Sequence, residues 1–150
     1  MRMKLSVAAC LIALATAALA HQGASGVVKK RMELMKDTAQ HMKSIAGMVS
    51  GKSELDTGSL TASAQTIAAH AGDIPDLFPE GSLHDPSEAL PKIWEEWEDF
   101  TMLANDLSER AEQLAAVADD GASAADLQAA FGKVGETCKS CHTDFRLKKQ

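Results

Sequence analysis

The sequence has no tyrosine, few other aromatic residues and no cluster of basic residues, and each shortage excludes a class of protein. Aromatic residues make up 4% of the 150 residues. Because β-branched residues are also scarce, a strand-rich fold is disfavoured. The formal net charge is −6, which argues against nucleic-acid binding, since that depends on neutralising phosphates. The sequence is rich in helix-forming residues and is 45% hydrophobic, as expected for one folded domain.

The first twenty residues have the organisation of a secretory signal peptide. A positive start precedes an apolar run, and small residues then occupy the −3 and −1 positions of a cleavage site. These features are Arg2 and Lys4, Leu5–Leu19, and Ala18 and Ala20. The run of about fifteen residues is short for a membrane span. We therefore predict a cleaved signal peptide at 1–20, a mature domain at 21–150, a periplasmic location and no stable membrane insertion after cleavage.

Capping residues and apolar spacing divide the mature chain into four helical segments. They are predicted at about 25–50, 59–71, 91–118 and from 123 onward. Along the last two, apolar residues recur at steps of three and four without a break, and no strand-like alternation competes. A loop of nearly twenty residues, rich in proline, separates the second segment from the third. This pattern predicts an all-α fold, an antiparallel four-helix bundle.

The pentapeptide Cys138-Lys139-Ser140-Cys141-His142 carries most of the information about function. Its C-x-x-C-H spacing is the covalent attachment signature of c-type haem. Cysteines at i and i+3 share one helical face, so both can form thioethers to the vinyl groups of one porphyrin. The histidine follows closely enough to reach the iron from the same side. We therefore predict one covalently attached haem c, held by Cys138 and Cys141 and ligated by His142.

Three other uses of the two cysteines fit the sequence less well. A disulfide between positions i and i+3 of a helix is strained. A thioredoxin-like site requires a βαβ context, which the helical pattern does not offer. A zinc site needs two further ligands at matching spacing. The remaining histidines of the mature chain show no such cluster; they are His21, His41, His70 and His84.

Both cysteines fall on the apolar seam of the last helix, so the haem is expected to lie between helices. Small residues elsewhere are expected to leave room for it. These are Ala39, Ala46, Ala64, Ala68, Ala104 and Ala111. The spacing puts Trp97 on the seam and Trp94 against the long loop. Leu34 and Met48 fall off the haem seam, where they could contribute to a dimer interface.

Three stretches of the mature chain resemble the cytochrome c′ family. They are Arg31–Lys36, Phe78–Ser82 leading to Ala89–Trp94, and Ala130–Arg146. The resemblance covers nearly all of the mature chain. It implies a periplasmic four-helix bundle, often dimeric, with haem near the C-terminal end. It also implies that Arg31 lies near a haem propionate, and Arg146 matches a basic residue one turn after the histidine.

Members of this family differ in the residue across the haem from the histidine. Many have a non-ligating apolar residue, which leaves five-coordinate iron; others have a methionine and are low-spin, six-coordinate electron carriers. Alignment from Arg31 puts Met35 at this position. Methionine commonly fills gaps in a core, but a thioether is also a natural haem ligand. We predict Met35 as the second iron ligand, with Met32 as the next candidate.

Together these features predict a periplasmic monohaem electron carrier that is not an enzyme and whose partners are other periplasmic redox proteins. No catalytic set of the Ser/His/Asp or peroxidase type is visible in the sequence. The acidic run at 95–99 is predicted to be a solvated face that could meet a redox partner. The main alternative is a five-coordinate cytochrome c′ that binds nitric oxide or carbon monoxide. The weakest is a helical protein without haem.

Overall fold

The computed structural model describes residues 24–148, so the predicted signal peptide at 1–20 lies outside the described residues. The helices are α1 Gly26–Val49, α2 Thr57–Asp73, α3 Lys92–Glu95, α4 Trp97–Asp119 and α5 Ala124–Phe145. A turn of 3₁₀ helix follows α2 at Pro75–Leu77. The four long helices form a bundle, which confirms the predicted fold class. Across this described range, none of the helices combines the length and the apolar character needed to cross a membrane.

Local capping chemistry sets where α2 and α5 begin and where α1 ends. The Ser123 hydroxyl accepts the backbone N–H of Asp126 at 3.3 Å and donates to its carboxylate at 2.6 Å, as the capping pattern predicts. α2 begins earlier than predicted because Asp56 caps it, accepting the backbone N–H of Ser59 at 3.1 Å. Gly51, just beyond α1, has φ +72°, which ends the helix in a conformation that favours glycine.

The third predicted helix is interrupted at Glu96, so the prediction of a continuous helix from Pro91 was wrong there. Glu96 has φ −124° and ψ 50°, outside the helical region, and separates the short α3 from α4. The Trp94 indole donates to the Phe78 carbonyl at 3.0 Å, which holds α3 against the loop as predicted. Because of the interruption, the residues after Glu96 are rotated about the helix axis relative to a continuous helix. Trp97 is consequently 38% exposed instead of lying on the seam.

α2 and α4 form the most extensive helix contact in the bundle. Thr61, early in α2, donates to Asp119 at 2.8 Å, whereas Ser108 donates to the carbonyl of the later Ala68 at 3.0 Å; the two helices are therefore antiparallel. Four of the alanines expected to leave room for haem are buried in this shared core; they are Ala64, Ala68, Ala104 and Ala111. Their small size lets α2 and α4 approach closely, which differs from the predicted role of leaving room for haem. Ala39 is exposed.

The contact between α1 and α5 is the least extensive among the four neighbouring helix pairs. α4 and α5 are joined by the Thr137 hydroxyl, which donates to Asp106 at 2.7 Å. α1 and α2 are joined by a hydrogen bond of 3.0 Å between Thr38 and His70. The α1–α5 side is therefore the side of the bundle with the least protein–protein packing.

The two apolar side chains suggested for a dimer interface do not provide an exposed surface. Met48 is 8% exposed and belongs to the core, and Leu34 is half-buried and packs against it. Dimerisation stays a prediction, without support from these two residues.

Candidate haem-binding site

The two motif cysteines lie on the core side of α5. Cys138 and Cys141 are free thiols, half-buried, and both pack against the hydrophobic core. They continue the spacing of Leu127 and Val134, which are fully buried on the same helix. Within residues 24–148, no three His, Cys, Asp or Glu side chains are grouped so as to hold a metal ion. The thiols therefore occupy the predicted seam and are not paired with each other.

Burial suppresses the acidity of both thiols. It raises the pKa of Cys138, and it raises the pKa of Cys141 to about 11, with smaller contributions from the neighbouring Cys138 and from Asp144. Both groups are accordingly protonated at neutral pH. Since the thiolate is the reactive form in disulfide exchange, this argues against a thioredoxin-like site.

His142 lies on the exposed side of the last turn of α5, directly after Cys141. The pKa of its imidazole is lowered, first because the protein removes part of its solvent and then because Arg146 is positively charged. A lowered pKa favours the neutral ring, and the neutral ring has the nitrogen lone pair that a metal requires. His142 is thus in the protonation state suited to ligation at neutral pH.

Met35 and His142 lie at the same height in the bundle. Where α1 ends and α5 begins, the Gln128 side chain donates to the Val49 carbonyl at 2.6 Å, which fixes the register of the two helices. Met35 precedes Val49 by 14 positions, and His142 follows Gln128 by 14 positions. Because antiparallel helices rise equally, by about 1.5 Å per residue, both side chains lie about 21 Å from that contact.

Contacts at the opposite end, where α1 begins and α5 ends, give the same register. Arg31 of α1 donates to the Ser87 hydroxyl at 3.2 Å, and Arg146, just beyond α5, forms two hydrogen bonds with Glu88 at 2.9 and 2.5 Å. Ser87 and Glu88 are adjacent in the loop, so the two arginines lie at one level. Met35 lies four residues after the first arginine, and the motif histidine lies four residues before the second.

Arg31 anchors the long loop to α1. Its guanidinium donates to the Leu77 carbonyl at 3.4 Å, to the hydroxyl and carbonyl of Ser82, and to Ser87, and it lies 4.5 Å from the ring centre of Phe78. The residue is 5% exposed. All four terminal N–H groups are thereby directed at the loop. The role of Arg31 beside a propionate stays a prediction, and its loop contacts are a role that the sequence did not indicate.

A glycine turn presents the main acceptor to Arg31. The Ser82 N–H donates to the Pro79 carbonyl at 3.2 Å and closes a four-residue turn. Gly81, the third residue of that turn, has φ +78°, which glycine adopts without steric cost. The turn directs the carbonyl and hydroxyl of Ser82 toward the buried guanidinium.

Arg31→Ala should lower the free energy of unfolding by about 2–3 kcal/mol, because it leaves buried acceptors of the loop without their charged donor. Urea denaturation of the haem-loaded protein measures this loss. Lys30→Ala, at the exposed neighbouring position, is the matched control and should change stability by less than about 0.5 kcal/mol. Equal stability of the two variants would contradict the anchoring role.

A short backbone pairing fastens the end of α5 to the same loop. Ala89 and Arg146 form one antiparallel bridge. On either side of it, the Leu90 N–H donates to the Phe145 carbonyl at 3.0 Å and the Leu147 N–H donates to the Glu88 carbonyl at 2.8 Å. With the Arg146–Glu88 ion pair, this pairing fixes the turn of α5 that carries the histidine. No pattern in the sequence indicated this pairing, since its partners are more than fifty residues apart.

The predicted site residues therefore lie on two helices at one end of the bundle. They are Cys138, Cys141 and His142 on α5, and Arg31 and Met35 on α1. Met35 and Met42, like the cysteines, are half-buried and pack against the core. A flat apolar group between α1 and α5 would cover these side chains where the two helices contact each other least. The residues and their donor chemistry thus fit a haem.

Known proteins resemble the chain along almost its whole described length. The family model described as Cytochrome C' matches residues 26–146. Cytochrome c-556 of Agrobacterium tumefaciens (strain II Chrys) is 35% identical, covering 83% of this chain and 100% of that protein. The structure of cytochrome c′ from Rhodopseudomonas palustris gives a TM-score of 0.78 at 34% identity and covers 85% of this chain and 100% of that chain.

A further solved structure is the nitric oxide complex of a cytochrome c prime mutant from Alcaligenes xylosoxidans. It is 28% identical, with a TM-score of 0.73, and covers 81% of this chain and 94% of that chain. The family model spans all five helices and includes the attachment motif at 138–142. The chain therefore belongs to the cytochrome c′ family, whose members carry a covalently attached haem c.

Proposed function

We propose that this chain is a periplasmic monohaem electron carrier in which Cys138 and Cys141 attach the haem while His142 and Met35 ligate its iron. The observation that carries the proposal is the common height of Met35 and His142 on neighbouring antiparallel helices, fixed by contacts at both ends. When bound, the haem supplies an iron that gains or loses one electron. With His142 and Met35 as its ligands, that iron would be low-spin and its reduction potential would be raised.

The protein's part in electron transfer is to hold the two ligands still. The loop fastens α1 through Arg31 and α5 through Arg146, so both ligand-bearing turns are tied to one segment. The lowered pKa of His142 keeps its imidazole neutral and available at neutral pH. Fixed ligands reduce the rearrangement that accompanies a change of charge. This role needs no catalytic turnover, and none is assigned to the chain.

The absorption spectrum of the purified, haem-loaded protein tests the proposal. A low-spin ferric spectrum with a methionine–iron charge-transfer band is expected, and the reduced form should be unchanged by carbon monoxide. A high-spin ferric spectrum that changes fully with carbon monoxide would overturn it.

The second candidate function is binding of nitric oxide or carbon monoxide by five-coordinate iron. The nitric oxide complex of the Alcaligenes protein, with its TM-score of 0.73, favours it. Under this alternative Met35 would be a packing residue, as methionines often are. The spectrum described above separates the two functions, because only an open sixth position gives a high-spin iron that takes up the gas.

A further inference from the structure

A shallow surface cleft of about 350 Å³ lies where the 3₁₀ turn and the loop meet α3 and α4. Its lining combines aromatic rings and prolines with two carboxylates: Pro75, Phe78, Pro79, Trp94, Trp97, Asp76 and Glu80. We refer to it as the tryptophan cleft. Trp94 donates its indole N–H to the Phe78 carbonyl and is half-buried, whereas Trp97 is 38% exposed. Trp97 thus presents apolar surface to solvent, although the core is one helical turn away.

Acidic side chains surround this apolar surface. Asp76 and Glu80 line the cleft and are exposed. Further exposed carboxylates follow at the end of α3, at the break before α4 and in the first turn of α4; they are Glu95, Glu96, Glu98 and Asp99. Lys92, the nearby cation on α3, is engaged with Glu96 at 3.0 Å. The cleft is therefore an aromatic depression with a negatively charged rim.

A chain of aromatic contacts connects the cleft to the haem end of the bundle. The Trp97 ring lies 5.6 Å from that of Phe100, and the Phe100 ring lies 5.4 Å from that of Phe145. Phe100 and Phe145 are buried. Phe145 follows His142 by three positions on α5, which is about one helical turn. The exposed indole is thus linked through packed rings to the turn of α5 that carries the motif histidine.

We propose that the tryptophan cleft is the docking site for a basic one-electron redox protein, one of whose lysine or arginine side chains lies against Trp97. A cation over an indole face is attractive, and tryptophan is the best such partner. Complementary charges on the rim speed the encounter and orient the partner. One electron then passes between the two proteins, so that one is oxidised and the other reduced by one unit, and no bond forms or breaks. This inference rests on the proposed electron-carrier function.

Charge complementarity favours a basic partner over a second copy of this chain. The full sequence carries a net charge of −6, and two acidic rims would repel each other across a shared interface. Self-association through the cleft is therefore an outcome that the test must be able to detect.

The test uses the haem-loaded protein and a basic class I cytochrome c as the probe. Calorimetric titration at low and at physiological ionic strength gives the dissociation constant, and stopped-flow mixing gives the electron-exchange rate. Asp76→Lys/Glu80→Lys should weaken binding at low salt by about tenfold. The matched control is Glu54→Lys/Asp120→Lys, which makes the same change in net charge at exposed positions toward the other end of the bundle.

Trp97→Ala should weaken binding by about tenfold, as removal of a central aromatic contact does. Met102→Ala is its control, because Met102 is 59% exposed on α4 but does not line the cleft. Equal weakening by the cleft variants and their controls would overturn the docking site. So would dimerisation of the wild type that Trp97→Ala abolishes.

The same measurements separate failure of this inference from failure of the carrier proposal. If the wild-type iron is low-spin and exchanges electrons with the probe, but the cleft variants behave like their controls, only the docking site is wrong. If the wild-type protein is high-spin and exchanges no electrons, the carrier function itself is wrong.

Discussion

Met35→Leu should convert the ferric protein from a low-spin to a high-spin spectrum and open the reduced iron to carbon monoxide. Leucine nearly preserves the volume of methionine, so this variant removes the thioether with little change in packing. The reduction potential should fall with the loss of the methionine ligand. Visible absorption, carbon monoxide titration and redox titration of the purified variant measure the three effects.

Two other methionines of α1 serve as controls for this substitution. Met42→Leu, two turns further along the helix, should retain the low-spin spectrum. Met32→Leu should do the same, because Met32 lies one turn before the level of His142. A low-spin spectrum that persists in Met35→Leu and is lost in Met32→Leu would assign the ligand to Met32. Persistence in all three variants would contradict ligation by any one of these three methionines.

Cys138→Ser/Cys141→Ser should abolish covalent haem attachment completely. Serine has nearly the size of cysteine but forms no thioether, so the change removes the bond and leaves the helix face almost unaltered. A pyridine haemochrome assay and haem staining after denaturing electrophoresis should show no bound haem. Each single substitution should retain one thioether and give a haemochrome band displaced to longer wavelength.

Ser140→Ala is the control for the cysteine variants, because Ser140 lies between the two cysteines and is exposed. It should carry the wild-type amount of haem. Covalent haem in the double serine variant would contradict the assignment of the attachment residues. A loss of haem from Ser140→Ala would show that the effect is not specific to the thiols.

The parts of this structure that depend on neighbouring residues could be predicted from the sequence. The capping pair Ser123 and Asp126 predicted the start of α5. Apolar residues of that helix recur at steps of three and four, which predicted the seam on which both cysteines lie. The attachment motif is equally local, since five consecutive residues carry it. Helix capping and helical periodicity act over one or two turns, which is why a pattern along the chain is sufficient for them.

The features that the sequence did not predict depend on distant partners or on single backbone angles. The partners of Arg31 lie 46 to 56 positions away, and no periodicity records them. The interruption at Glu96 comes from one residue leaving the helical region, although apolar spacing continues across it. That change of phase exposed Trp97. The register between α1 and α5 rests likewise on Gln128 and Val49, which are 79 positions apart.

The loop between α2 and α3, which contacts both α1 and the end of α5, also has a consequence for the order in which the bundle folds. Its contacts connect residues near both ends of the described chain with the middle, and closing such long segments costs entropy before any contact forms. α2 and α4 are separated by as much chain, with 58 positions between Thr61 and Asp119, but they contact each other most extensively, so their association offsets this entropy with more buried surface and can occur earlier. We therefore expect the end that holds the cysteines to close last, leaving them accessible for haem attachment while the rest of the chain is already compact.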